Sequence, residues 1–146
     1  MTGKGSLNHN SRKFHAKNTD PNRTHWNVEY CNEDIKDVYH ELFDDALKRY
    51  NDKQTRKDRK IDDYYEKIRS GKQEKLFHEV ILQIGDKDNM GSETMEGQLA
   101  AKILDEYMKG FQERNPTLRV FAAHLHLDEA TPHLHIDFIP YVTGSK

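Results

Sequence analysis

Near its C-terminal end, the chain concentrates side chains that can bind a metal ion. Residues 124–137 contain four of the nine histidines, and a hairpin there would bring His126, His133 and His135 close to Glu129. Neutral imidazole suits Mn, Fe, Co, Ni, Cu and Zn, and a nearby carboxylate extends the choice to harder divalent ions. Fewer than four firm protein ligands leave positions open for water or substrate, which is typical of a catalytic site. The alternative is a sheet face that is merely rich in histidine.

Apolar and polar residues alternate with a period of two, and this alternation predicts the hairpin that would bring these side chains together. On the first strand, one face carries Val120, Ala122, His124 and His126, and the other carries Phe121, Ala123, Leu125 and Leu127. On the second strand, one face carries His133, His135 and Asp137, and the other carries Leu134, Ile136 and Phe138. The short link 128–132 contains turn residues, so the two strands should be antiparallel neighbours.

Other patterns predict the elements that surround the hairpin. Residues 1–22 are expected to form a loop, and alternation predicts a strand over 23–31 in which His25, Asn27 and Glu29 share a face. A further strand is expected over 75–85 and a turn over 86–91. Apolar residues spaced three and four apart predict three helices. Asn32 would cap the first, a short helix would cover 61–68, and a long helix would cover 92–114. The long helix would bury a stripe formed by Met95, Leu99, Ile103, Tyr107 and Phe111.

This order of elements predicts an α+β domain with a two-layer architecture. The sheet would be largely antiparallel, with helices on one face. The other face would carry the histidines and stay open, so that it could accept an extended polymer.

Length and composition limit the other possibilities. With 146 residues, the chain has the size of one domain, 1–146. We find no apolar run long enough to span a membrane and no signal peptide. The single cysteine, Cys31, excludes an internal disulfide and a cysteine-based zinc site and fits a reducing cytoplasm, where we expect the protein to act. Residues 1–25 and 53–60 each carry five basic residues against one acidic residue, which favours either phosphate contacts or a solvated charged face.

Three motifs resemble those of one protein family. The segment from His126 to His135, with Glu129 and Pro132-His133 between them, resembles the metal motif of the HUH endonucleases. More specifically, it is similar to that of the Mob/Pre family of plasmid mobilisation relaxases, also called plasmid recombination enzymes. The family's N-terminal motif is matched by residues 9–12 and its second motif by residues 22–27.

The resemblance implies a relaxase with a ferredoxin-like or RRM-like palm that nicks single-stranded DNA at a plasmid transfer origin. Nicking would proceed by transesterification and leave a covalent protein–DNA adduct. The three hairpin histidines would hold Mn²⁺ or Mg²⁺, and Glu129 would lie beside the metal or orient a histidine. His9 would be the nucleophile and Arg12 would contact the phosphate. Tyr30 is the rival nucleophile, although its alternation with apolar neighbours favours a core position.

The resemblance also implies DNA contacts and a larger protein. Lys4 and Arg23 are basic residues of the N-terminal segment that would contact DNA. His25 and Asn27 would either contact DNA, brace the site or simply lie on the sheet surface. The resemblance further implies that this catalytic domain is the N-terminal part of a longer protein, whose C-terminal region could supply dimerisation.

Two other functions are compatible with these residues. A metal-dependent phosphodiesterase would use the same histidines with an activated water and would leave no adduct. A non-catalytic remnant of the family would bind DNA with salt-dependent affinity and cleave nothing.

Overall fold

The predicted hairpin lies at the centre of a five-stranded antiparallel sheet. The structure, a computed structural model, describes residues 2–3, 7–13, 19–85 and 91–142. The strands are β1 (Thr2–Gly3), β2 (Val28–Asn32), β3 (His78–Gln83), β4 (Leu118–His126) and β5 (His133–Pro140). Their order across the sheet is β1-β3-β5-β4-β2, and every neighbouring pair is antiparallel. The predicted α+β class is therefore confirmed.

Helices pack on the sheet in two groups. They are α1 (Leu7–Asn10), α2 (Ile35–Asp52), α3 (Tyr64–Ser70), α4 (Met95–Lys109) and α5 (Phe111–Arg114), with 3₁₀ turns at Pro21–Trp26 and Lys57–Arg59. One buried cluster joins α4 and α5 to the sheet face of Leu125, Leu134 and Ile136. A second cluster joins α2 and α3 to Phe121 and Ile139 at the far end of the histidine face. Consequently, only part of the histidine face lacks a helical cover. Among the described residues, no helix is long and apolar enough to cross a membrane.

A β-bulge in β4 corrects the predicted faces of its first residues. The pairing with β5 shifts register between Val120 and Ala122. Val120 therefore packs with Ala123 in the α4 cluster, whereas Phe121 and Ala122 both join the α2 cluster. A bulge places two residues opposite one, which breaks the period of two at that point. Beyond the bulge, the predicted alternation is correct.

The segment predicted as a strand over 23–31 is a strand only from Val28 onward. Residues Pro21–Trp26 form a 3₁₀ turn whose start is capped by Asp20, because its carboxylate accepts a hydrogen bond from the backbone N–H of Asn22 at 3.0 Å. Proline at the first position favours such a turn, since its φ is already close to the helical value. The turn removes Trp26 from any buried face, and 43% of this residue is exposed.

Helix α4 buries a different stripe from the predicted one. Of the five predicted residues, only Phe111 is buried, and it lies in α5 beyond a break at Gly110. The inward face of α4 instead consists of Gly97, Ala100, Leu104 and Met108. Apolar residues occupy both faces of this helix, and the face with glycine and alanine allows the closer approach to the sheet. The spacing alone did not distinguish the two faces.

This corrected orientation predicts opposite results for two identical substitutions on one helix. Leu104 is 3% exposed and Leu99 is 57% exposed. Leu104→Ala should lower the free energy of unfolding by about 2–5 kcal/mol, because it leaves a cavity in the core. Leu99→Ala should change it by less than about 0.5 kcal/mol. Urea denaturation of both variants measures the difference, and equal effects would show that the helix is oriented otherwise.

Candidate active site

A cluster of possible metal ligands lies where β4, its turn and β5 meet. His126 ends β4, Glu129 lies in the turn and His135 belongs to β5. One ligand atom from each of these three residues lies within 4.8 Å of the other two. All three residues are buried. Two nitrogens and a carboxylate oxygen at this separation form a donor set that suits a divalent transition metal.

Hydrogen bonds indicate which nitrogen of each histidine ring donates and which is left to bind a metal. His135 Nδ1 lies 3.2 Å from Glu79 Oε1, and its Nε2 is buried without a hydrogen-bond partner among the described residues. His126 Nε2 lies 2.7 Å from the carbonyl oxygen of Asn10, so it donates there and its Nδ1 carries the lone pair. Burial holds the pKa of His126 at about 3, and the neutral ring is the form that binds a metal. A carboxylate that holds the far nitrogen of a metal-binding histidine is a common supporting arrangement.

His133 lies next to this cluster but not within it. Its Nδ1 is 2.7 Å from the carbonyl oxygen of Thr131 and 3.1 Å from Glu129 Oε2. Burial would lower the pKa of His133, but the hydrogen bond to Glu129 and the charge of that carboxylate raise it. The rings of His133 and His135 are 6.3 Å apart. The structure therefore brings two of the three predicted metal ligands, His126 and His135, together with Glu129, and places His133 beside them in contact with Glu129.

The N-terminal segment brings His9 to the edge of the cluster. Its Nε2 lies 3.4 Å from Glu129 Oε1, and its ring packs edge-on against His126 with centroids 6.1 Å apart. Arg12 Nη1 is 3.2 Å from the same nitrogen of His9. Because a guanidinium can only donate, this contact is a hydrogen bond only when His9 Nε2 carries a lone pair. The predicted nucleophile and the predicted metal site are thus adjacent.

Arg12 attaches this segment to the turn of the hairpin. Its guanidinium donates to both carboxylate oxygens of Asp128, at 2.8 and 2.6 Å, and to the carbonyl oxygen of His9 at 2.7 Å. The Arg12 backbone has a φ of 59°, an unusual value for a residue other than glycine. Burial would raise the pKa of Asp128, but hydrogen bonds from Arg12 and Thr24 hold it at about 2. The ion pair is buried, with 6% of the Arg12 side chain and none of the Asp128 side chain exposed.

Removing Arg12 should destabilise the protein as a whole. Arg12→Ala would leave the Asp128 carboxylate buried and unpaired, and breaking such a pair costs about 3–5 kcal/mol. Arg69→Ala is the matched control, because Arg69 pairs with Glu66 at an exposed site where solvent screens the ion pair and little effect on stability is expected. Thermal unfolding measures both variants. Equal stabilities of the two variants would contradict the structural role of Arg12.

A second segment, residues 20–27, supports the same turn from the other side. The Asp20 N–H donates to the Asp128 carbonyl at 2.6 Å, and Thr24 Oγ1 donates to the Asp128 carboxylate at 2.9 Å. Of the predicted DNA-contacting residues, Arg23 donates to the Glu129 carbonyl at 3.2 Å, and Asn27 accepts from the Leu127 N–H at 2.6 Å. Both side chains therefore brace the turn.

The remaining predicted residues have different positions. The side chain of His25 is exposed at the end of the 3₁₀ turn. Lys4 lies outside the described residues. Tyr30, the rival nucleophile, donates its hydroxyl to Asp105 and packs against the α4 cluster. Burial raises the pKa of Tyr30 well above its usual value, which disfavours the phenolate.

Three buried polar residues behind the histidines were not assigned a role from the sequence. Asn10 donates to the carboxylates of Glu79 and Asp137. Burial and the neighbouring Glu79 raise the pKa of Asp137 to about 9, so it is protonated at neutral pH. Glu79 remains ionised, because hydrogen bonds from His135 and Asp137 outweigh the effect of its burial on its pKa. Two features of the sequence could have indicated this cluster. Glu79 is the lone acidic residue in the apolar run of β3, and Asp137 lies on the histidine face of β5.

Comparison with known proteins identifies the family. The model of the plasmid recombination enzyme family, Mob_Pre, matches residues 4–146. No curated protein matches this sequence. Among solved structures, the relaxase domain of MobM bound to 22-nucleotide oriT DNA of plasmid pMV158, in a Mn-bound crystal at pH 5.5, is 27% identical with a TM-score of 0.54. A Mn-bound crystal of the same domain and DNA at pH 4.6 gives 26% and 0.52.

These similarities cover nearly all of this chain but not all of MobM. Each comparison covers 95% of this chain and 64% of the solved one, so the chain spans less than two thirds of the length of the solved domain. The family resemblance of the three motifs is confirmed by the match over residues 4–146. The chain belongs to the Mob/Pre family of plasmid recombination enzymes.

Proposed function

We propose that this protein is a metal-dependent relaxase that nicks single-stranded DNA at a plasmid transfer origin by transesterification. The observation that carries the proposal is the position of His9, whose Nε2 lies 3.4 Å from a carboxylate oxygen of the metal-type cluster. A nucleophile next to a Lewis-acid site is the arrangement that phosphodiester transfer requires. The Mn-bound, DNA-bound structures of MobM support the same substrate and ion for this chain.

The donor set fits a divalent ion, Mn²⁺ or Mg²⁺. His126 and His135 would bind it, Glu129 would bind it or orient a neighbouring ring, and His133 would complete the set by giving up its contact with Glu129. The Nε2 of His135 supports this assignment, because it is buried and has no hydrogen-bond partner in the described part of the chain. When bound, the ion would neutralise charge on the phosphate oxygens.

His9 would perform the transfer itself. Its Nε2 lone pair attacks phosphorus, a P–N bond forms, and the bond from phosphorus to the 3′ oxygen breaks. The 3′ oxygen takes up a proton and leaves as a free hydroxyl, while the imidazole loses its remaining ring proton to solvent. The product is a phosphoramidate between His9 and the 5′ phosphate. The reverse reaction rejoins the strand without external energy, because one P–N bond has replaced one P–O bond and the 3′ hydroxyl can attack phosphorus to exchange them back.

Arg12 would position His9 for the reaction. Its Nη1 lies 3.2 Å from His9 Nε2 and donates to the His9 carbonyl oxygen at 2.7 Å. The same group is fixed by Asp128 and lies 3.4 Å from Glu129 Oε1. It therefore positions the nucleophile and provides positive charge beside the phosphate. We infer that residues 1–146 act as one catalytic domain, since both clusters share one sheet.

A library of random single-stranded oligonucleotides tests this proposal without knowledge of the origin. The protein is incubated with the library and Mn²⁺, denatured, and washed until only covalently attached DNA remains. Sequencing of the attached strands should reveal one recurrent motif next to the attachment point. Cleaved DNA without attachment would instead indicate a phosphodiesterase that uses water. Salt-dependent binding without cleavage would indicate a DNA-binding remnant.

A further inference from the structure

An exposed aromatic surface lies beside the candidate active site and has no role in the reaction described above. Trp26 is 43% exposed, and the ring of His25 packs against it edge-on with centroids 5.9 Å apart. Val28, the first residue of β2, is 37% exposed. Trp26 belongs to neither of the two buried clusters. Among the described residues, its indole is therefore a partly exposed aromatic ring outside both clusters.

The segment that carries Trp26 is held firmly against the metal-type cluster. Asn27, the next residue, accepts a hydrogen bond of 2.6 Å from the N–H of Leu127, which follows His126 directly. Thr24 and Arg23 bond to Asp128 and Glu129 in the same turn, at 2.9 and 3.2 Å. These hydrogen bonds position the backbone of the turn that carries Trp26 before a ligand arrives, which reduces the entropic cost of binding.

We propose that Trp26, flanked by His25, is a stacking platform for one unpaired base of the DNA strand that reaches His9. The proposal rests on the proposed function, because it assigns the platform to the same strand. Proteins that bind single strands combine positive charge with exposed aromatic rings, and a base stacks on such a ring whatever its identity. The platform would fix the strand next to the reacting phosphate.

The single tryptophan of the sequence makes this proposal directly measurable. Stacking of a base on Trp26 should quench its fluorescence, and no other indole contributes to the signal. The probe is an oligothymidylate, which has no secondary structure of its own. Its matched control is an oligonucleotide of the same length with abasic sites, which keeps the phosphates and removes the bases. We expect saturable quenching by the first probe and little quenching by the second. Equal quenching by both probes would overturn the proposal.

Substitution of Trp26 provides an independent readout. Binding of a labelled oligothymidylate, followed by anisotropy, should weaken about tenfold in Trp26→Ala, within the range found for one stacked base. Trp26→Phe should retain most of the affinity, because it keeps an aromatic face. Leu99→Ala is the control for loss of an exposed apolar side chain away from the proposed platform. Unchanged binding in Trp26→Ala would contradict the proposal.

The covalent-adduct assay separates failure of this inference from failure of the proposed function. If adducts form and Trp26→Ala binds DNA as tightly as the original protein, the platform is wrong and the relaxase function stands. If the oligothymidylate quenches Trp26 but no adduct forms with any library strand, the chain binds single-stranded DNA through the platform without being a relaxase. Thermal unfolding of Trp26→Ala should match the original protein, which excludes a general loss of structure.

Discussion

The His9→Ala variant is expected to form no covalent adduct while it still binds Mn²⁺. His9 Nε2 is the nitrogen that lies beside Glu129 and Arg12, at 3.4 and 3.2 Å, whereas the metal-type cluster is built from other residues. Loss of a nucleophile typically reduces the rate of covalent catalysis on the order of 10⁶-fold. Adduct formation with a strand selected from the library, measured on a denaturing gel, would therefore become undetectable.

Two controls make the role of His9 specific. His40→Ala removes an exposed histidine of α2 that pairs with Asp44, and it should leave adduct formation unchanged. Tyr30→Phe removes the rival nucleophile and should also form the adduct. The attachment itself should be labile in acid and stable in alkali, as expected for a phosphoramidate. Adduct formation by His9→Ala would show that another residue attacks, and continued cleavage without adduct would indicate an activated water.

Removal of the hairpin histidines is expected to abolish metal binding. Calorimetric titration with Mn²⁺ should detect one site in the original protein. His126→Ala and His135→Ala should each remove it, because each supplies one of the three clustered ligand atoms. His133→Ala should remove it as well if that ring leaves Glu129 to bind the ion. Retained binding in His133→Ala alone would identify His126, Glu129 and His135 as the ligand set.

His124 provides the matched control for these titrations. It lies on the same face of β4, is buried to a similar degree, bonds to Glu29 at 3.0 Å and is not one of the three clustered ligands. His124→Ala should therefore bind Mn²⁺ normally. A chelator should stop adduct formation in the original protein, and added Mn²⁺ should restore it. No binding in the original protein would mean that the histidines have a structural role here.

Glu79 offers a smaller but informative effect on the same site. Its carboxylate accepts the hydrogen bond from His135 Nδ1 at 3.2 Å and so fixes which nitrogen can bind the ion. Loss of such a supporting carboxylate costs about 10–100-fold in metal affinity. Glu79→Gln should weaken Mn²⁺ binding by this amount without abolishing it. An unchanged affinity would show that the orientation of His135 does not depend on Glu79.

The sequence by itself determined the hairpin and its chemistry. A strict alternation from His124 to His126 and from Leu134 to Phe138 left only one way to place apolar side chains on a core and histidines on the opposite face. The short link between the strands predicted antiparallel neighbours, and in the structure His126 pairs with His133. The alternation of apolar residues and histidines depends only on the geometry of a strand, so it can be recognised without the rest of the fold. The metal motif of the family lies in the same residues.

Only the tertiary structure decided which of two plausible faces each remaining element buries. The bulge in β4 and the rotation of α4 depend on packing against distant partners, which spacing does not encode. Asp20 caps the 3₁₀ turn that exposes Trp26, and its N–H donates to the Asp128 carbonyl, which holds the turn against the hairpin. Likewise, Asn10 and Glu79 are 69 residues apart in the chain and meet only in the folded protein. The candidate active site combines local patterns with long-range hydrogen bonds, and only the local patterns can be predicted from the sequence.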